Sequence, residues 1–204
     1  VTSRYWRKKV NMITVLEIIK VLSKKNIPAF EIPITKAVID SRKVIPGSLF
    51  IALKGEKTDG HQFIENAFKN GASIALISNE ISQDEYNVID LRSTSKEKSL
   101  FISDFPLCIY VDDSLAALQK IAKYWRMKLQ LRVTGITGSV GKSSTKELVA
   151  EVLSHEFHTF KNPGNYNNEI GLPLTILNLG SGYGQLVLEM GFYSFAHRVS
   201  IPFQ

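Results

Sequence analysis

Eight residues limit what this chain can fold into more than any others: Thr137-Gly-Ser-Val-Gly-Lys-Ser-Ser144. Residues 131–137 lead in as a strand, and residues 145–153 leave with the spacing of a helix. A glycine-rich turn between a strand and a helix gathers its amides and the helix N-terminus at one place, where an anion is favoured. Gly138, Ser139, Val140, Gly141, Lys142, Ser143 and Ser144 are therefore the candidate phosphate-binding residues. Lys142, also the candidate catalytic residue, would reach the β- and γ-phosphate oxygens, and the Ser143 hydroxyl would ligate Mg²⁺. The strict pattern G-x-x-x-x-G-K-[ST] is not met, because Ile136 stands at its first glycine. Glu189 closes the apolar run 185–189, and a carboxylate at the C-terminal end of a parallel strand beside a phosphate loop is placed to hold the same metal.

A strand–turn–helix of this kind belongs to a layered α/β fold, and the rest of the chain reads the same way. Thr14 and Glu17 form a capping box ahead of Val15, Ile18, Ile19 and Leu22, predicting a helix that ends near Lys25. Strands are expected at 34–39, 48–53, 73–77 and 107–111, with a less defined one at 88–91. Residues 61–70 have a helical apolar face closed by Gly71. Asp112 and Asp113 begin a helix in which Leu115, Leu118, Ala122, Trp125 and Leu129 make a core-facing seam. Past residue 130 come a short strand at 157–160, a loop rich in Asn, Gly and Pro, and an apolar helix at 170–177. The expectation is a small α/β domain over 12–130, followed from 131 by the first part of a doubly wound phosphate-loop domain.

Composition narrows the partners. A chain of 204 residues with 44% hydrophobic and 22% charged residues has the balance of one or two globular domains, not of a disordered or fibrous protein. Its longest apolar run, residues 105–111, is far short of the roughly 18 residues of a membrane span. The single cysteine, Cys108, excludes a disulfide framework and a cysteine-based metal site within the chain, and a reducing, cytoplasmic setting is expected. The net charge of +6 is concentrated: Arg4, Arg7, Lys8 and Lys9 supply +4 within residues 1–11, leaving +2 for the rest. No nucleic-acid partner is expected from that distribution. Residues 1–11 read as a leader or over-extended start ahead of Met12.

Taken together, these motifs resemble the Mur ligases. The phosphate loop T-G-S-x-G-K-[ST]-[ST] without its first glycine is similar to theirs, and Leu188-Glu-Met-Gly191 falls where their metal glutamate falls. Asn162-Pro-Gly-Asn-Tyr-Asn-Asn-Glu-Ile-Gly-Leu-Pro-Leu-Thr175 resembles the signature of the member that adds D-alanyl-D-alanine. Upstream, Asp40-Ser-Arg-Lys-Val44, Asp59-Gly-His61 and Val111-Asp-Asp-Ser-Leu-Ala-Ala-Leu118 resemble the family's N-terminal UDP-sugar-binding domain. The resemblance implies ATP and Mg²⁺, with UDP-N-acetylmuramoyl tripeptide and D-alanyl-D-alanine as partners in peptidoglycan precursor synthesis. The tripeptide carboxylate would be activated as an acyl phosphate and attacked by the dipeptide amine. It also implies that Ile39 (through its backbone), Ser41, Arg42 and the loop Glu56, Lys57 and Thr58 contact the UDP group, and that Asn165, Asn167 and Asn168 line the cleft. The plain alternatives are a surface ion pair for Arg42 and capping for the asparagines. His61 reads as a helix-start residue. A monomer is expected.

The resemblance runs from about Met12 to Gly191. Residues 192–204 do not resemble the family, and His197 among them is not favoured as a metal ligand. The 74 residues from Leu131 onward are fewer than a full doubly wound domain needs. The family's carbamylated lysine, metal-binding histidine and closing C-terminal domain have no counterpart in them. Two readings follow: part of an ATP-dependent amide ligase, or a truncated, inactive remnant that binds UDP-sugar and nucleotide. A third, an unrelated phosphate-loop NTPase, lacks a legible hydrolysis-supporting residue after Glu189. No ligase turnover is expected of these 204 residues alone.

Overall fold

The computed structural model describes residues 12–23, 31–81, 86–92, 105–164 and 166–191. Residues 1–11, Asn165 and the stretch 192–204 with His197, each of which figures in the expectations above, lie outside these.

Five parallel strands form the first sheet: β1 (Ala37–Val38), β2 (Ser48–Ile51), β3 (Ala72–Ile77), β4 (Asn87–Asp90) and β5 (Leu107–Tyr110), ordered β1-β2-β3-β5-β4. Alternating side chains sort to opposite faces, as the two-residue period of a strand requires. Leu49, Ile51, Ile74, Leu76, Leu107 and Ile109 face α1 (Val15–Ser23) and α3 (Ser114–Leu129). Phe50, Ala75, Ile77, Cys108 and Tyr110 face α2 (Ile64–Lys69). With both faces covered, the strands are near-continuous apolar runs, the usual state of a parallel sheet. Cys108 is fully buried in this core, and that burial pushes its thiol up to about 12.

Local signals place the helix starts. In α1 the capping box closes both ways: Glu17 N donates to Thr14 Oγ1 at 3.3 Å, and Thr14 N to Glu17 Oε2 at 3.0 Å. Asp113 caps α3, accepting from Leu115 N at 2.7 Å and Ala116 N at 3.1 Å. The strand expected at 34–39 shrinks to β1. Ile34 N bonds back to Ile13 O at 2.8 Å, and beyond β1 the Asp40 carboxylate accepts from Arg42 N at 3.0 Å, winding residues Ser41–Lys43 into a 3₁₀ turn. The helix expected at 61–70 begins as a 3₁₀ turn, Gly60–Phe63, capped by Asp59, before α2 takes over. Gly71 ends it at φ 98°, a conformation that favours glycine.

The second sheet has three parallel strands, β6 (Arg132–Ile136), β7 (Thr159–Lys161) and β8 (Gln185–Glu189), in the order β6-β8-β7. α4 (Lys142–Ser154) crosses one face from β6 to β7, and α5 (Gly171–Leu177) connects β7 to β8. The central strand is buried on both sides: Val187 packs with Ile136 and Ala150 of α4, while Leu186 and Leu188 join the core that contains α3, α5 and the first sheet.

The two sheets therefore share one apolar core. α5 lies against α3, and every one of its residues is buried. Trp125 on α3 donates its indole N–H to Leu179 O at 2.9 Å. Asn178, just past α5, uses its side-chain amide as a substitute strand for edge strand β1: Ala37 N donates to its Oδ1 at 2.8 Å and its Nδ2 donates to Ala37 O at 2.9 Å. Among the described residues no helix is long and apolar enough to cross a membrane. Replacing Asn178 by Ala is expected to cost about 1–3 kcal/mol in urea unfolding by leaving the edge of β1 unpaired. Asn178→Asp should cost at least as much, because it sets a carboxylate against the Ala37 carbonyl.

Candidate nucleotide and metal site

Strands β6 and β8 end side by side, and the candidate residues gather there. β6 stops at Ile136, whose carbonyl accepts from Met190 N at 2.9 Å and whose side chain packs against α4. Ile136 is thus a strand residue, and the turn begins after it, which is why no glycine is needed at that position. The turn delivers Gly141 in the left-handed region, φ 78°, as the N-cap of α4. α4 starts at Lys142, three residues earlier than the sequence spacing suggests, because Thr145 commits both its amide and its hydroxyl to Gly141 O at 2.9 Å. Lys142 and Ser143 consequently sit in the first helical turn, among amides without intrahelical partners. Lys142 Nζ arches back over the turn to Gly138 O at 2.7 Å. Val140 stands 90% exposed at the tip, with Ser139 and Ser144 exposed beside it.

Glu189, at the end of β8, is the centre of the cluster. It is only 4% exposed. Ser143 Oγ donates to its Oε2 at 2.8 Å and Asn167 Nδ2 to its Oε1 at 3.0 Å. Lys146 Nζ, also buried, lies 3.6 Å from Oε2. Burial pushes the carboxyl up, but the hydrogen bonds from Ser143 and Asn167 and the charges of Lys146 and Lys142 outweigh it and hold Glu189 below the usual carboxylate range. Its backbone is clipped by the fully buried Asn162. Glu189 N donates to Asn162 Oδ1 at 2.8 Å, and Asn162 Nδ2 donates to Glu189 O at 3.1 Å and Tyr166 O at 2.9 Å. Asn167 is held in turn by Gly191 N, which donates to its carbonyl at 2.8 Å.

The donor set suits Mg²⁺. Ser143 Oγ and Glu189 Oε2 are hard oxygen ligands 2.8 Å apart at the mouth of an anion-binding turn. Magnesium is commonly held by one or two carboxylates together with substrate phosphates. No group of three or more His, Cys, Asp or Glu that could hold a metal occurs among the described residues.

Residues 136–201 match the Mur ligase middle domain, and residues 33–126 match the Mur ligase family, catalytic domain. The chain belongs to the Mur ligase family. The middle-domain match continues to residue 201, past Gly191, where the sequence reading ends the resemblance. The UDP-N-acetylmuramoyl-tripeptide–D-alanyl-D-alanine ligase of Bacillus subtilis is 40% identical over 74% of this chain, and that of Haemophilus influenzae 33% identical over 88%. The chain spans only 29% and 36% of these relatives' lengths. Among solved structures, a UDP-N-acetylmuramoylalanyl-D-glutamyl-2,6-diaminopimelate–D-alanyl-D-alanyl ligase from Acinetobacter baumannii superposes with a TM-score of 0.67 at 28% identity, covering 89% of this chain and 37% of its own. The MurF ligase of Thermotoga maritima in complex with ADP gives 0.59 at 32% identity, covering 83% and 32%.

The Mur ligase residues expected to meet UDP lie at the C-terminal ends of β1 and β2. Ile39 follows β1 and is exposed. Ser41 is buried under α2, where its hydroxyl accepts from Asn66 Nδ2 at 3.2 Å and its carbonyl from Asn70 Nδ2 at 2.9 Å. Arg42 is 84% exposed and forks onto Asp40 through Nε and one terminal nitrogen, both at 2.9 Å. Asp40 is held below the usual carboxylate range chiefly by that hydrogen-bonded guanidinium. Glu56, Lys57 and Thr58 form an exposed loop pinched by Gly55 N donating to Thr58 O at 3.0 Å. His61 does more than start a helix. Its Nδ1 meets Asp59 Oδ1 at 2.5 Å, and its Nε2 accepts from Ser78 N at 2.9 Å and Asn79 N at 3.2 Å, fastening this loop to the end of β3.

Of the asparagines, Asn167 reaches Glu189, whereas Asn168 caps α5, accepting from Gly171 N at 2.7 Å and Ile170 N at 3.2 Å. Sequence reasoning missed Lys146 and Asn162. Lys146 had a readable signal: it is one helical turn beyond Lys142 and three residues from Ser143, on their face of α4. Asn162→Ala is expected to lower stability by about 2–3 kcal/mol in chemical denaturation, since it strands the buried Glu189 amide. Asn162→Asp keeps an acceptor for the Glu189 amide but should remain destabilised, because it sets a buried carboxylate against the Glu189 and Tyr166 carbonyls that Asn162 Nδ2 serves.

Proposed function

We propose that this chain carries the nucleotide-holding and UDP-substrate-holding parts of an ATP-dependent ligase that joins D-alanyl-D-alanine to UDP-N-acetylmuramoyl tripeptide in cytoplasmic peptidoglycan precursor synthesis. The observation that carries the reading is the convergence of Lys142, Ser143 and Glu189 at the adjoining ends of β6 and β8. Its support comes from the names of the relatives and from the ADP complex of the Thermotoga maritima ligase.

On this reading the turn amides of 138–144 and the Lys142 ammonium would cradle the ATP phosphates, and Ser143 with Glu189 would hold Mg²⁺. The metal, when bound, neutralises charge that builds on the transferred phosphoryl group. Positioning and charge neutralisation are what such a transfer asks of a protein. Asn167 fixes the Glu189 carboxylate from the side opposite Ser143, so its free lone pairs are aimed before any ligand arrives. Arg42, oriented by Asp40, keeps further N–H donors for an oxygen of the UDP group.

Calorimetry with Mg²⁺ and ADP tests the nucleotide half: Lys142→Ala should weaken binding at least about tenfold. Failure of the parent chain to bind ADP would overturn the reading. For the other half, Arg42→Ala should weaken binding of UDP-N-acetylmuramoyl tripeptide. An unchanged affinity would remove Arg42 from that role.

A further inference from the structure

Lys146 is a buried lysine that the nucleotide reading leaves without a task. It sits on α4 at 3% exposure, and lysines are almost never that buried unless they are paired. Its ammonium donates to Asn162 O at 3.1 Å and lies 3.6 Å from Glu189 Oε2 and 3.7 Å from Glu147 Oε1. Glu147 is half exposed and engaged by Lys161, so water and a second cation already balance it. Glu189 is buried, and Lys142 is turned away to Gly138 O. The charge that Lys146 balances is therefore that of Glu189.

We infer that Lys146 is a positioning residue, an internal counter-ion that keeps Glu189 compensated and aimed at Ser143 until a divalent cation competes for the same oxygen. The inference rests on the nucleotide-site reading above. Two consequences follow from the charges alone. Without metal, the ammonium shields incoming phosphates from a bare buried carboxylate. With metal, the cation must share or displace Lys146 at Oε2, so its net gain at the site is reduced. Lys146 thus narrows the difference between metal-free and metal-loaded nucleotide binding.

The test compares ADP dissociation constants in EDTA and in Mg²⁺ for the parent, Lys146→Met and Lys146→Arg. Methionine keeps the apolar stem and removes the charge. At 3.6 Å even water's dielectric constant makes one unit pair worth about sevenfold in an equilibrium. The Mg²⁺ gain in Lys146→Met should therefore exceed the parent's by at least about fivefold, with Lys146→Arg returning toward the parent. If both constants move by the same factor, Lys146 is only a packing residue and the inference is wrong. A parent that binds ADP with no Mg²⁺ gain would overturn the metal assignment and the inference with it. Thermal unfolding in EDTA supplies a readout free of ligand, and it covers the case in which Lys146→Met folds poorly. The Lys146→Met, Glu189→Gln double variant should melt above Lys146→Met. Additive losses would overturn the counter-ion role even if the nucleotide reading stands.

Discussion

Glu189 is a carboxylate shut away from water at the end of a central strand, and a charge in that position must be met by partners or give up its ionisation. Two elements meet it. α4 contributes Ser143 and Lys146, and the asparagine loop contributes Asn167 and, from behind the strand end, Asn162. Removing any one leaves a buried polar group in low dielectric, where unpaired groups are costly. Both carboxylate oxygens of Glu189 are consequently held by side-chain donors.

A second dependence runs through α5. The helix is short and buried on all sides, so it contributes little of its own helical stability and draws it from packing. Asn168 fixes its start, three residues after Asn165 and one after the residue that holds Glu189. Asn178 fixes its end, on the backbone of β1. β1 in turn leads directly into Asp40, Ser41 and Arg42. A continuous set of packed and hydrogen-bonded parts therefore joins the cluster around Glu189 to the loop expected to meet UDP, and the common core makes the two sheets one packed body rather than beads on a linker.

What could be read from the sequence was local. The run 185–189, the Thr14–Glu17 box and the Asp113 cap each depend on residues within a few positions of one another, and the structure has them where spacing put them, while the turn after residue 137 gives way to helix three residues early. The 34–39 segment misled because its apolar pattern suits a strand, while its ends are captured by Ile13 and by the Asp40 side chain, neither of which periodicity sees. Asn162 and Asn178 were illegible as structural keystones for the same reason, and Lys146 gave only the weak signal of its spacing from Lys142. A lysine on a helix reads as solvent-facing and an asparagine as a turn, until tertiary contacts 16 to 141 residues away engage them.

The cluster around Glu189 and the loop around Arg42 differ in how firmly their groups are held. Around Glu189 the carboxylate, Lys146 and Asn162 are buried, and Ser143 and Asn167 close on the carboxylate from less buried positions. Around Arg42 the guanidinium is exposed and steadied only by Asp40, and the Glu56–Thr58 loop is solvated and pinned from one side by His61. An exposed arginine ion pair is weak enough in water to be shared with an incoming oxygen at little cost. That asymmetry sets a carboxylate held by several partners at one end against an arginine held by a single exchangeable ion pair at the other.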